Sequence, residues 1–155
     1  SILLVGPDHS YVRKLQALGS PISDRIRYLP PQPFSNLVQF TNQYDVGLFL
    51  CEPSNFNLRH CLPNKFFEFI HARLAVAIGP SVEMAPYVRR FGCGVVSDDF
   101  EPASLARVLA ETSASRFSEM KKASHRAALE LNSNLVRTQV LDCALNGAGV
   151  EVFRV

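Results

Sequence analysis

Lys65 and Glu68 stand three positions apart in the stretch Leu62-Pro63-Asn64-Lys65-Phe66-Phe67-Glu68-Phe69-Ile70. A cation and a carboxylate at that spacing lie on one face of a helix. Pro63 marks the first turn, where its missing N–H would be unpaired in any case. The free N–H groups of that turn attract anions, and Lys65 adds a mobile positive charge. Glu68 offers two acceptor oxygens to a diol such as a ribose. A helix start of this kind suits a ligand that carries both a phosphate and a diol, as a sugar nucleotide does. A surface ion pair worth about 0.2–0.5 kcal/mol is the competing reading of the same two residues.

Two apolar runs bracket this helix, over residues 46–51 and 74–79, and both read as buried strands. Further strands are expected at 2–5, 25–29 and 93–96. Val12, Leu15 and Leu18 share one face of a helix over 9–18, which Gly19 and Pro21 stop. Ser35 is an expected N-cap for a helix over 36–43, and Ser81 for a short helix toward Arg89. Pro102 and Ser104 open another helix. Beyond Ser113 the pattern is helical only: Phe117, Met120, Ala123, Ala127 and Leu131 recur at helical spacing, and 135–145 continues it. Strands alternating with helices predict one doubly wound, Rossmann-like α/β domain over 1–155, with a parallel sheet covered on both faces and a helical C-terminal tail.

In such a sheet ligands bind outside the carboxyl ends of the strands. The loops after Val5, Leu29, Cys51 and Ile78 are therefore expected to form the rim of a site. Gly6, in Gly6-Pro7-Asp8-His9, lets the backbone approach a diphosphate, and His9 is a polar contact beside it; a plain strand-to-helix turn is the alternative. His60 precedes the Lys65 helix and is either a ligand contact or a solvated loop residue. Asn64 is the polar neighbour of Lys65. His71 and His125 read as surface positions on helices. Asp98 and Asp99 read as a solvated turn with a capping role before Pro102.

The whole-chain properties set outer bounds. A chain of 155 residues fits one domain that buries roughly 70% of its unfolded surface. Its composition, 47% hydrophobic and 19% charged, is that of an ordinary globular protein. A formal net charge of +2 gives no case for nucleic acid as a partner. No apolar run approaches the roughly 20 residues of a membrane span. The four cysteines, Cys51, Cys61, Cys93 and Cys143, contain no Cys-x-x-Cys pair, which argues against zinc-ribbon and redox motifs. They read as reduced thiols in a cytoplasmic protein, with Cys51 and Cys143 as small core fillers. Ser1 stands directly against an apolar run, which reads as a piece of a longer two-domain protein.

The ordered series of segments resembles the carboxyl-terminal, donor-binding half of a GT-B glycosyltransferase of the family 4 type. Residues 2–6 resemble the family's second strand and its Val-Gly turn, and 25–29 the strand that follows. Tyr44-Asp45-Val46-Gly47-Leu48 is similar to its "a-D-v-g-l" segment. Leu62 to Phe69 matches "l-P-n-K-x-F-E-y" of a bacterial polysaccharide-type branch. The segments at 74–79, 91–96, 104–109 and 131–141 continue the likeness.

The resemblance implies that Glu68 binds the ribose hydroxyls of a nucleotide-diphosphate sugar, with Lys65 and Asn64 at its diphosphate. It implies no metal or other cofactor. It also implies an acceptor-binding amino-terminal half as partner, without which this half does not turn over, and a possible peripheral contact with the inner membrane face through that half. The chain departs from the family where His60 replaces an acidic residue eight positions before Glu68, leaving the sugar and the stereochemistry open. A non-catalytic nucleotide-binding module and a nucleotide-sugar epimerase are the alternatives. A receiver-type signalling domain needs clustered acids after the first strand, where Asp8 stands alone.

Overall fold

The computed structural model describes residues 25–133, together with the backbone of Ile2–Leu4 and, individually, Arg13, Lys14, Ala17 and Thr138. Five short strands and six helices are described: β1 (Ile2–Leu4), β2 (Ile26–Tyr28), α1 (Phe34–Thr41), β3 (Val46–Phe49), α2 (Phe56–Arg59), α3 (Asn64–His71), β4 (Ala75–Ile78), α4 (Met84–Phe91), β5 (Gly94–Val96), α5 (Pro102–Glu111) and α6 (Ala114–Glu130). They fall into two compact units, Ser1–Leu37 and Val38–Val155.

In the first unit β1 and β2 pair in parallel, with Leu3 opposite Arg27. Of the helix expected over 9–18, Arg13, Lys14 and Ala17 are helical and the remainder lies outside the described residues. Gly6 and His9 lie outside them too, as do the expected helix over 135–145 and Cys143. Helix α1 begins two residues ahead of its expected start. The carbonyl of Pro33 accepts from the N–H of Asn36 at 3.0 Å and closes the first turn there. Ser35 is consequently inside the helix, its hydroxyl bonded to Asn36 Oδ1 at 3.1 Å, and does not cap it.

The second unit is built on the parallel sheet β3-β4-β5. β4 lies at its centre, pairing Leu48 with Ala77 on one side and Ala77 with Val95 on the other. All four residues of β4 are buried, which requires cover on both faces and explains why no polar residue alternates along it. The links between neighbouring strands run through helices, as parallel pairing demands.

One core joins α3, α4 and α6 to β4: Phe66, Ile70, Val76, Ile78, Met84, Ala85, Val88, Cys93, Ala123 and Ala127. Each helix contributes residues three or four apart, so each presents a single apolar stripe. Phe66 and Ile70 of α3 are completely buried, worth about 1.5–3 kcal/mol each. α5 packs on β4 and β5 as well, with Leu105 buried. Two buried serines of these helices differ: Ser124 of α6 donates to the carbonyl of Leu74 at 2.6 Å, whereas the buried hydroxyl of Ser104 on α5 has no hydrogen-bond partner among the described residues.

Local signals at the helix ends account for their positions. Ser81 accepts from the N–H of Met84 at 3.2 Å and so holds the start of α4, as its sequence position predicts. α4 ends at Gly92, whose φ of 63° is left-handed backbone open to glycine without strain. Pro102 occupies the first turn of α5, and Asp99 accepts from the N–H of Glu101 at 2.9 Å. Ser113 caps α6 through the N–H of Arg116 at 3.2 Å. No helix among the described residues is long and apolar enough to cross a membrane.

Candidate functional site

The carboxyl ends of β3 and β4 open into a cleft of about 280 Å³. Phe49, Cys51 and Pro53 reach it from the end of β3, and Leu58, Arg59 and Cys61 from α2 and the residue past its cap. Pro80, Ser81, Val82 and Met84 wall it from the turn after β4, and Phe100 closes it. Its place is the one that parallel α/β sheets use for ligands. Two of the four loops expected at a rim, those after residues 51 and 78, meet here.

The lining is mostly apolar, and Arg59 is its one fixed charge. Its guanidinium is exposed and has no hydrogen-bond or ion-pair partner among the described residues. Sequence reasoning passed over Arg59. The signal available was a basic residue in the last turn of α2, which Asn55 starts by accepting from the N–H of Leu58 at 2.9 Å. A cation in that last turn faces a cleft instead of a neighbouring carboxylate.

α3 begins three residues after the last of these α2-side lining residues, Cys61. Its N-cap is Pro63, with Asn64 as the first helical residue and no side chain capping the turn. The N–H of Phe66 bonds to the Pro63 carbonyl at 2.9 Å, while those of Asn64 and Lys65 are left for solvent or an anion. Asn64 and Lys65 are exposed and Glu68 is half-buried. The side chains of Lys65 and Glu68 make no ion pair with one another, and each is without a partner among the described residues. Neither belongs to the cleft lining; they stand on the helix that starts at its wall. What orients this helix is on its opposite side, where Phe66 and Ile70 enter the core.

His60 is placed differently from a solvated loop residue. Its Nδ1 lies 3.0 Å from Glu83 Oε1, and its ring packs on Phe56 with centroids 4.7 Å apart. Glu83 occupies the N-cap position of α4 yet makes no capping bond; Ser81 does that, which leaves the Glu83 carboxylate to the imidazole.

Several other positions correct the sequence reading. Cys51 is half-buried on the cleft wall and not in the core; the strand ends at Phe49, two residues earlier than its apolar run suggests, because the chain turns outward at the rim. The core thiol is Cys93, and burial pushes it up to about 11. His71 is not a plain surface position either, since its Nε2 lies 2.9 Å from the carbonyl of Leu131 and ties the end of α3 to that of α6. His125 is exposed and accepts from Arg73 Nε at 2.9 Å. Among the described residues no three metal-ligating side chains converge.

No protein-family model matches the chain, and no curated protein matches it by sequence. Solved structures do match it. One is the crystal structure of WaaG, a glycosyltransferase involved in lipopolysaccharide biosynthesis, with a TM-score of 0.65 at 18% identity over 84% of this chain. The match covers 34% of WaaG, so the chain spans about a third of that protein's length. A likeness at this identity is one of architecture. It shows a mixed α/β, Rossmann-like fold with a parallel sheet flanked by helices, as in one half of a GT-B glycosyltransferase.

Proposed function

We propose that this chain is the donor-binding half of a glycosyltransferase and that its cleft takes a nucleoside-diphosphate sugar. What supports the reading is an unpartnered Arg59 in the lining of a cleft at the carboxyl end of a parallel sheet, and the start of α3 three residues beyond that lining, with no side-chain cap and with Lys65 and Glu68 unpartnered. A diphosphate on the cleft floor would meet the Arg59 fork, which matches phosphate geometry in two parallel bonds. The first turn of α3 and Lys65 would add further donors. Glu68, one turn along, would accept from the ribose hydroxyls.

The chemistry follows from the leaving group. Transfer breaks the bond between the anomeric carbon and the diphosphate oxygen, so negative charge grows on the phosphates as the acceptor oxygen closes in. Donors already fixed at that point lower the barrier, typically by a few kcal/mol for each well-placed group. Arg59, Lys65 and the helix N–H groups fill that role; Glu68 orients the nucleotide and moves no proton. The acceptor would come from a separate acceptor-binding half, with the whole of 1–155 serving as the donor half. A growing polysaccharide or a glycolipid is the acceptor we propose for that half, on the cytoplasmic side of a membrane.

Thermal melting with nucleotides tests this reading. Uridine or guanosine diphosphate raises the melting temperature of the wild type, and the rise disappears in Arg59→Ala and Glu68→Ala and shrinks in Lys65→Ala. No rise with any nucleoside diphosphate overturns it.

A further inference from the structure

The cleft at the ends of β3 and β4 carries two thiols as well as a cation: Cys51, Cys61 and Arg59 all line it. Both thiols are half-buried, unlike that of Cys93 in the core. A cysteine that fills a core is accounted for by its packing; these two fill none. Each sulfur donates to a carbonyl close by in its own segment, Cys51 to that of Glu52 at 3.9 Å and Cys61 to that of Leu58 at 3.3 Å. Neither bond ties one strand to another or a helix to the sheet. Packing and hydrogen bonding thus give no structural reason for two thiols at this wall.

We infer that the cleft is a thiol-modification site: a small anionic disulfide of the glutathione class exchanges with Cys51 and Cys61, and the resulting mixed disulfide excludes the sugar nucleotide. The exclusion rests on the donor-site reading above; the modification does not. Arg59 supplies the recognition, because its guanidinium takes a carboxylate of the incoming disulfide in paired hydrogen bonds. The disulfide is itself the oxidant. The cysteine, as its thiolate, attacks one sulfur of the disulfide. A new S–S bond forms and the old one breaks. The second sulfur leaves as a thiolate and takes up a proton, balancing the one that the cysteine gave up. The cysteine sulfur is oxidised and the departing sulfur reduced, and a thiol reductant reverses the step. Cys93 takes no part: it is completely buried, and burial pushes it up to about 11, which disfavours its thiolate. A tripeptide on either cleft sulfur occupies the space of about 280 Å³ that a donor diphosphate would use. The thiol state of the cleft then sets whether the donor binds.

Incubation of the reduced chain with oxidised glutathione, followed by peptide mass mapping, tests the site. Glutathionyl adducts are expected on Cys51 and Cys61, removed by dithiothreitol, with Cys93 unmodified. Arg59→Ala slows modification by oxidised glutathione about fivefold, the ratio that one unit charge at contact in water allows. It does not slow modification by cystamine, a cationic disulfide of the same chemistry. The glutathionylated wild type loses its rise in melting temperature with uridine or guanosine diphosphate and regains it on reduction. The Cys51→Ser/Cys61→Ser chain responds to nucleotide equally before and after the same treatment. No adduct on either cleft thiol, or adducts on Cys143 alone, overturns the inference and leaves the donor site standing. An Arg59→Ala chain that reacts with oxidised glutathione at the wild-type rate, or is slowed equally toward both disulfides, overturns the role of Arg59. A glutathionylated chain that still responds to nucleotide overturns the exclusion. If the reduced wild type responds to no nucleoside diphosphate, the donor reading fails and the exclusion with it; the adduct map, read without nucleotide, decides the modification by itself.

Discussion

Gly47 of β3 lies flat against the ring of Phe69 of α3, so close that a Cβ added at Gly47 would fall on the ring atoms. That contact sets how near the helix bearing Lys65 and Glu68 can approach the sheet. Gly47→Ala forces the Phe69 ring, and α3 with it, away from β3. Overpacking of this kind costs about 1–3 kcal/mol. The urea midpoint is expected to fall with an unchanged slope, and an equal midpoint would show that the ring yields without resistance.

The parts of this architecture that repeat locally are legible from sequence. Apolar β4, the Phe66/Ile70 stripe and the Met120/Ala123/Ala127 stripe each carry their own period, and Ser81, Pro102 and Ser113 mark helix starts by their side chains. The residues proposed to hold the donor on α3 share that locality, since Pro63, Asn64, Lys65 and Glu68 lie within one helical start. Arg59 and Glu83 are not, because their meaning depends on which loops the sheet brings together. Glu83 carries no sequence signal of its own, and only the fold brings its carboxylate to His60, 23 residues earlier in the chain. Ser35 misleads for a related reason: the Pro33 carbonyl closes the turn first.

Ser124 is completely buried and bonds to the Leu74 carbonyl at 2.6 Å, with the Cys93 carbonyl 3.4 Å away. These two carbonyls lie just ahead of β4 and β5, so one hydroxyl of α6 pins the start of both strands. Ser124→Ala leaves the Leu74 carbonyl without that donor in a place water does not reach. The expected loss is about 1–3 kcal/mol by chemical denaturation; a loss below about 0.5 kcal/mol would mean that the hydroxyl is not a structural tie.

Cys93 titrates at about 11 in the folded chain because burial disfavours its thiolate, against an ordinary value of 9.0. Above pH 9 the unfolded chain gives up this proton while the folded chain keeps it, so the unfolded state binds fewer protons and stability falls as pH rises. The contribution is intact below pH 9 and lost by about pH 11, on the order of 2–3 kcal/mol for a shift of this size. Other groups titrate in this window, so the measured quantity is the difference in unfolding free energy between wild type and Cys93→Ala. That difference should shrink from pH 8.5 to pH 11. A constant difference would place the thiol in contact with water.

The central claim is that the cleft at the ends of β3 and β4, together with the start of α3, holds a nucleoside-diphosphate sugar. Backbone amide shifts followed by NMR during titration with uridine or guanosine diphosphate sugars test it most directly. The account predicts saturable shifts centred on Arg59, Cys61, Asn64, Lys65 and Ser81, with Leu129 at the far end of α6 unmoved. Shifts that spare Arg59 and Lys65, or a spectrum unchanged by every such sugar nucleotide, would contradict it.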